Sequence, residues 1–182
     1  MLARLEDSLL VVVDLQPAFM APIMEVDSVL ARANYLLRVG QLLGVPRFAT
    51  EQYPSRMGHT HELLMPGLDG CPIEGKMVFS CLGAPSLRSW IEHSGRRQVV
   101  LVGIETPICV NQTAHELLEL GYEVIVAEDA VGGRSELMHR NGIERMRAAG
   151  ATIAHTDSIV YEWMRTAEHP QFRDVLKIVK EL

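Results

Sequence analysis

The sequence predicts a three-layer α/β sandwich, a mostly parallel six-stranded sheet with helices on both faces. Two observations carry this. Short β-rich runs alternate with longer segments of helical period throughout the chain, and strands joined through helices run parallel because a parallel pair needs a long crossover. The first run, Leu9–Val13, is continuously apolar, the pattern of a strand covered on both faces.

The strands expected after Leu9–Val13 are Arg47–Thr50, Lys76–Ser80, Gln98–Val102, Glu123–Ala127 and Ala151–His155. Each is a short run rich in β-branched or aromatic residues. Helical spacing is clear over Val29–Leu43, closed by Gly44 and Pro46, and over Ser135–Ala149, closed by Gly150. Thr106–Leu120 reads as a helix ending at Gly121, with shorter ones at Ser86–His93, Ser158–Thr166 and Gln171–Glu181. Glu51–Gly75 holds three prolines and four glycines; a loop of that length in a compact unit carries function or covers a site. Residues 1–182 read as a single domain, with no linker or repeat.

Composition narrows the function. Hydrophobic residues make up 48% and charged residues 22% of the chain, which suits a packed globular protein and not a disordered one. Seventeen Lys and Arg against 23 Asp and Glu leave a net charge of −6. Proteins that bind nucleic acid through bulk charge are basic, so no nucleic-acid partner is expected. No stretch reaches the roughly 20 apolar residues that span a bilayer, and Leu9–Val13 is too short and too acidic in its flanks for a signal peptide. The expected setting is cytoplasmic, without a membrane partner. Three cysteines without C-x-x-C spacing fit neither a disulfide framework nor a cysteine zinc site. No Gly-rich dinucleotide or phosphate loop is present, and no cofactor is expected.

In open α/β sheets ligands lie beyond the carboxyl ends of the strands, which singles out Asp14–Gln16, Glu51–Tyr53, Gly103–Cys109 and Glu128–Gly133. Asp14, directly after a buried strand, could equally cap a helix or pair with a cation. Lys76 could be an ordinary strand-edge residue. Cys109 is more telling. Thr106 suits an N-cap and Pro107 a first helical position, which places Cys109 in the first turn. There the helix dipole favours a thiolate and can lower a cysteine pKa from about 8.5 to 7 or below. The alternative is an inert, buried cysteine.

Three separated segments together resemble the isochorismatase-like cysteine hydrolase family. They are Asp14-Leu15-Gln16 with Phe19; Lys76-x-x-x-Ser80-x-Leu82, where the family has Phe at the last position; and Gly103-x-x-Thr106-x-x-Cys109-Val110 followed by Thr113-Ala114. The resemblance runs from Leu9 to Ile159, and Glu51–Pro54 and His169–Phe172 look most like the isochorismatase-domain subgroup. It implies a catalytic triad of Asp14, Lys76 and Cys109, a non-proline cis peptide at Ile104–Glu105, and an oxyanion hole from the backbone N–H groups of Glu105 and Cys109. Thr106 would then bond elsewhere, leaving the Cys109 N–H free. Family nicotinamidases carry a D-x-H metal motif after the second strand; Glu51-Gln52-Tyr53-Pro54 stands there instead, so no metal is expected, although His59 and His61 lie nearby. Isochorismatases acting on a vinyl ether lack the cysteine nucleophile, so Cys109 points to acyl transfer. The implied activity is metal-independent hydrolysis of a C–N bond in a small amide or ureido substrate. The rival is a non-hydrolytic small-molecule-binding or thiol redox protein on the same fold. Gln16, Phe19, Gln52, Tyr53, Phe79 and Leu82 flank the motifs and are the expected pocket. Asp14, as base, is expected to hold the thiol pKa down. Self-association is expected, with Met57, Leu63, Leu64 and Met65 as apolar loop residues.

Overall fold

The structure, a computed structural model, describes residues 1–182. The elements follow in order as β1 (Ser8–Val13), α1 (Pro17–Met20), α2 (Val26–Leu42), β2 (Arg47–Gln52), α3 (Pro54–Met57), β3 (Ile73–Lys76), α4 (Leu87–Ser94), β4 (Gln98–Ile104), α5 (Asn111–Glu119), β5 (Glu123–Gly132), α6 (Glu136–Ala149), β6 (Thr152–Ala154), α7 (Thr156–Met164) and α8 (Phe172–Val179). The six strands form one sheet in the order β3-β2-β1-β4-β5-β6, and every pairing is parallel.

Alternation along β1 shows how the sheet builds two cores. Leu10 and Val12 face one layer, where they join Leu36 and Leu37 of α2, Trp163 of α7 and Val175 of α8. Leu9, Val11 and Val13 face the other, with Leu87 and Ile91 of α4, Leu117 of α5 and Met146 of α6. Each such side chain contributes about 1.5–3 kcal/mol on burial, and a strand buried on both faces draws on both layers. The continuous apolar run is the signature of that double burial.

Three elements depart from expectation, one of them β5, which runs past the expected end at Ala127 to Gly132. The third strand is Ile73–Lys76, earlier than Lys76–Ser80, pairing from Ala49↔Ile73 to Gln52↔Lys76. Beyond Lys76 the partner strand has ended, and Val78 and Phe79 turn their carbonyls onto the Lys76 ammonium at 3.3 and 3.0 Å. The β propensity of Met77-Val78-Phe79 is overridden, and all three side chains are exposed. The expected helix Thr106–Leu120 opens with a wide π-type turn over Thr106–Val110 before α5 begins. Such turns are frequent at functional sites. The long loop Glu51–Gly75 is partly ordered into α3 and a 3₁₀ helix at Glu62–Leu68, whose Leu64 and Leu68 are buried beneath α2. Leu64 is thus a core residue and not the surface residue expected; Leu63 and Met65 remain exposed.

Gly103 fixes how closely β4 approaches the mouth of β1. It pairs with Val13 and has φ +121°, and a Cβ there would collide with the Val13 carbonyl. Gly103→Ala should therefore destabilise the protein by at least about 3 kcal/mol, measurable as a lowered denaturant midpoint. A midpoint unchanged from the parent would refute this close-approach requirement.

Candidate active site

The carboxyl ends of β1, β2, β3 and β4 converge on one buried polar group. Asp14 follows β1 directly with φ +49°, a left-handed conformation that aspartate tolerates better than most residues. Its N–H donates to the Thr50 carbonyl at 3.1 Å. One carboxylate oxygen accepts from the Thr50 hydroxyl at 2.8 Å and the other from Lys76 Nζ at 2.6 Å. The Lys76 side chain is fully buried and that of Asp14 is 3% exposed, so this is an ion pair removed from water. Lys76 Nζ also donates to Gln52 Oε1 at 2.7 Å and to the Val78 and Phe79 carbonyls. Its three N–H groups thus face four acceptors, and none is left for a ligand.

Cys109 stands in the wide turn after β4 and is buried. Asp14, Phe19, Gln52, Phe79, Ile104, Glu105, Ile108 and Cys109 line one cavity of about 90 Å³. The Ile104–Glu105 peptide is cis. The Glu105 N–H has no partner in the chain, while its carbonyl accepts from the N–H groups of Ile108 and Val110. Thr106 does not cap the turn: its hydroxyl meets His139 Nδ1 at 3.0 Å, and Glu105 stands in the capping position. Thr113 ties the turn down, donating to the Cys109 carbonyl at 2.6 Å and accepting from the Cys81 N–H at 2.9 Å.

The electrostatics correct one expectation. Burial pushes the Cys109 thiol up to about 12, Asp14's charge pushes the same way, and Lys76 opposes both. The helix-start position favours a thiolate, but desolvation beside a carboxylate outweighs the turn's dipole. Asp14 accordingly raises the thiol pKa instead of holding it down. Cys81 is fully buried and likewise pushed up to about 12, by burial first and then by Asp14. Its sulfur lies 3.2 Å from the Thr50 hydroxyl, outside the cavity.

Of the expected pocket residues, Phe19, Gln52 and Phe79 line the cavity. Gln16, Tyr53 and Leu82 do not. Gln16 is fully buried and grips backbone: its Nε2 donates to the carbonyls of Gly58 at 2.6 Å and Gln52 at 3.1 Å, and its Oε1 accepts from Gln52 N–H at 2.7 Å. It seats the loop after β2. Tyr53 and Leu82 lie on separate surface grooves, because the chain leaves the sheet beyond Gln52 and beyond Lys76. Ile108 was missed, and only its place one residue before the thiol could have flagged it. Thr50 was also missed, although the end of an expected strand is a signal in itself.

Glu51 is buried and holds the same loop, accepting from Thr60 N–H at 2.7 Å and its hydroxyl at 2.9 Å, with His59 Nδ1 at 3.0 Å. Burial alone would raise its pKa; those bonds outweigh burial and leave it lowered. His59 is thus committed to Glu51, while His61 Nδ1 accepts from Leu63 N–H. Nowhere do three His, Cys, Asp or Glu side chains converge as a metal-ligand set.

The isochorismatase domain family matches residues 8–158. The chain belongs to the isochorismatase family. It is 37% identical over 177 residues to mouse isochorismatase domain-containing protein 2A, covering 97% of this chain and 84% of that protein. Among solved structures it is similar to the MAR1 ribonuclease of Caenorhabditis elegans, with TM-score 0.93, 32% identity, and 99% and 93% of the two chains covered. The fold is shared with the Escherichia coli YcaC gene product, described as an octameric hydrolase of unknown specificity, at TM-score 0.88, 19% identity, and 100% and 97% coverage. Members of the family are generally hydrolases. No helix of this chain is long and apolar enough to cross a membrane.

The two charges act oppositely on the thiol, so their removal should separate them. Asp14→Asn takes away an anion and should move the Cys109 titration to lower pH; Lys76→Ala takes away a cation and should move it higher. Thiolate ultraviolet absorbance against pH, with Cys71 and Cys81 replaced by Ser and Ala, reads both shifts, and shifts of the same sign would disprove the arrangement. Lys76→Ala also strands a buried carboxylate and should cost about 3–5 kcal/mol of stability, checked by urea unfolding.

Proposed function

We propose that this protein is a metal-independent cysteine hydrolase that cleaves the C–N bond of a small amide or ureido substrate through a Cys109 thioester. The observation that carries the reading is the buried Asp14–Lys76 pair, whose Asp14 opens with Cys109 onto one small cavity. A thiol held up to about 12 is protonated at neutral pH, so attack needs a base at the moment the bond forms. Asp14 takes the Cys109 proton as sulfur bonds to the substrate carbonyl carbon. The carbonyl π-electrons move to oxygen, where the free Glu105 N–H and the Cys109 N–H are the assigned donors; such donors contribute about 3–4 kcal/mol each. Asp14 then returns the proton to the nitrogen, the C–N bond breaks and the amine leaves. Water attacks the thioester, giving its proton to Asp14, and the carboxylic or carbamic acid leaves as the thiol is restored. Lys76 stays bonded throughout and balances the carboxylate charge.

The neighbouring ribonuclease raises RNA as a substrate for this chain. A net charge of −6 and a narrow cavity with two carboxylates argue against a polyanion here. The expected absence of RNA cleavage, with ammonia release from a panel of small primary amides and ureas, tests the choice. A thioester adduct at Cys109 by intact mass and peptide mapping supports the mechanism. Cys109→Ala and Asp14→Asn should each lower turnover by at least about a thousandfold, and residual turnover near that of the parent in either variant would refute it. Hydrolysis should persist in EDTA; its loss, with recovery on adding zinc or manganese, would overturn metal independence.

Self-association is part of the same proposal. Met77, Val78, Phe79, Leu63 and Met65 are exposed apolar residues, and Phe79 lines the cavity, so a second copy would bury surface next to the site. Light scattering should return a mass of at least a dimer at micromolar concentration, and a monomer mass would refute it.

A further inference from the structure

The cavity holds charged groups of one available sign. Lys76 lies behind the wall and spends all three N–H groups on Asp14, Gln52 and two backbone carbonyls. Gln52 is largely committed too, its Oε1 to Lys76 and its Nε2 to the Met77 carbonyl at 2.9 Å. Asp14 is bonded at both oxygens. The remaining polar side chain on the wall is Glu105, and it is half satisfied: Oε2 accepts from Arg134 Nε at 2.8 Å, while Oε1 has no partner. Glu105 lines the cavity, and its side chain is 21% exposed against 48% for Arg134, so the carboxylate is the more enclosed partner and the cation the more open one. The rest of the wall is Phe19, Phe79, Ile104 and Ile108, which offer no hydrogen bond.

We infer that Glu105 is the substrate-selecting residue, accepting an N–H of a neutral or cationic substrate and turning away anionic ones. The inference rests on the reading of Cys109 as the reacting thiol and names the substrate class for it. A carboxylate entering here would meet Glu105 with no free cation in compensation, at close range and in a partly desolvated site where charge repulsion is strong. An amide, urea or amine of the same size offers a donor to the vacant Oε1. Its carbon skeleton would rest on the two phenylalanines and two isoleucines. Arg134 is a moderator: by pairing with Oε2 from the solvent side it weakens the field of Glu105 without closing Oε1.

Iodoacetamide and iodoacetate test this without any known substrate, because they share shape and leaving group but differ as a neutral N–H donor and an anion. Carboxymethylation rates at Cys109 are measured by peptide mapping and divided by the rates with glutathione, which removes intrinsic reactivity. In the parent the normalised preference for iodoacetamide should be at least about tenfold. Glu105→Gln keeps the shape, removes the charge, and should bring the preference to within about threefold of unity. Arg134→Gln, a change at an exposed side chain, should widen the preference and decides the matter if the Glu105 variant does not fold. A parent preference near that of glutathione, or no change in either variant, overturns the inference while leaving Cys109 as the reactive thiol. A Cys109 that neither reagent alkylates and that forms no thioester adduct with any amide or urea of the panel overturns the proposed function and this inference with it.

Discussion

The structure depends on one buried ion pair. Taking an ammonium and a carboxylate out of water costs several kcal/mol per ion, and their attraction offsets this only when geometry is good and the remaining donors are satisfied. Lys76 and Asp14 meet that condition at 2.6 Å, and the surrounding chain is arranged to complete it. β3 stops at Lys76 so that the next carbonyls can fold back onto Nζ. Gln52 ends β2 with its amide oxygen on the same nitrogen. Thr50, one register step from Gln52 on the same strand face, supplies the second carboxylate bond.

That constraint shapes the chemistry available. Because the cation is fully bonded it cannot hold a substrate, and because the anion lies close to Cys109 it discourages a resting thiolate. The result is a thiol that holds its proton at neutral pH, and so is guarded against adventitious oxidation by ionisation state as well as by burial. Recognition then falls to groups that are not part of the pair. On this wall those are four apolar side chains and one half-satisfied carboxylate.

The loop after β2 shows the same economy of means. Gln16, the residue two past Asp14, reaches across to Gln52 and Gly58, and Glu51, next to Gln52, reaches to Thr60 and His59. The His61 N–H completes the set on the Leu15 carbonyl at 2.8 Å. Each anchor comes from a residue within two positions of Asp14 or of Gln52, which bonds Lys76, so the loop covering this edge of the sheet is tied to the same strands that position Asp14. A buried amide with four bonding positions suits that task better than it suits ligand contact, since an unmet bond inside would cost about 1–3 kcal/mol.

By itself the sequence determined the layer architecture, the strand order of appearance and the chemical types at the three motif positions. Those depend on local period and residue chemistry: the double burial of Leu9–Val13, the glycine stops after α2, α5 and α6, an acid directly after the first strand and a thiol in the turn after the fourth; the lysine, read as opening the third strand, in fact ends it. Tertiary structure alone decided which neighbours face inward. Gln16 and Tyr53 lie as near the motifs in sequence as Gln52 does, yet only Gln52 reaches the cavity, because the direction of a side chain past a strand end is set by what the chain bonds to there. The same holds for Met77–Phe79, whose strand propensity loses to an ammonium needing acceptors. The thiol's ionisation was also beyond the sequence, since helix-start position is a local property whereas desolvation and the Asp14 charge come from residues about a hundred positions away.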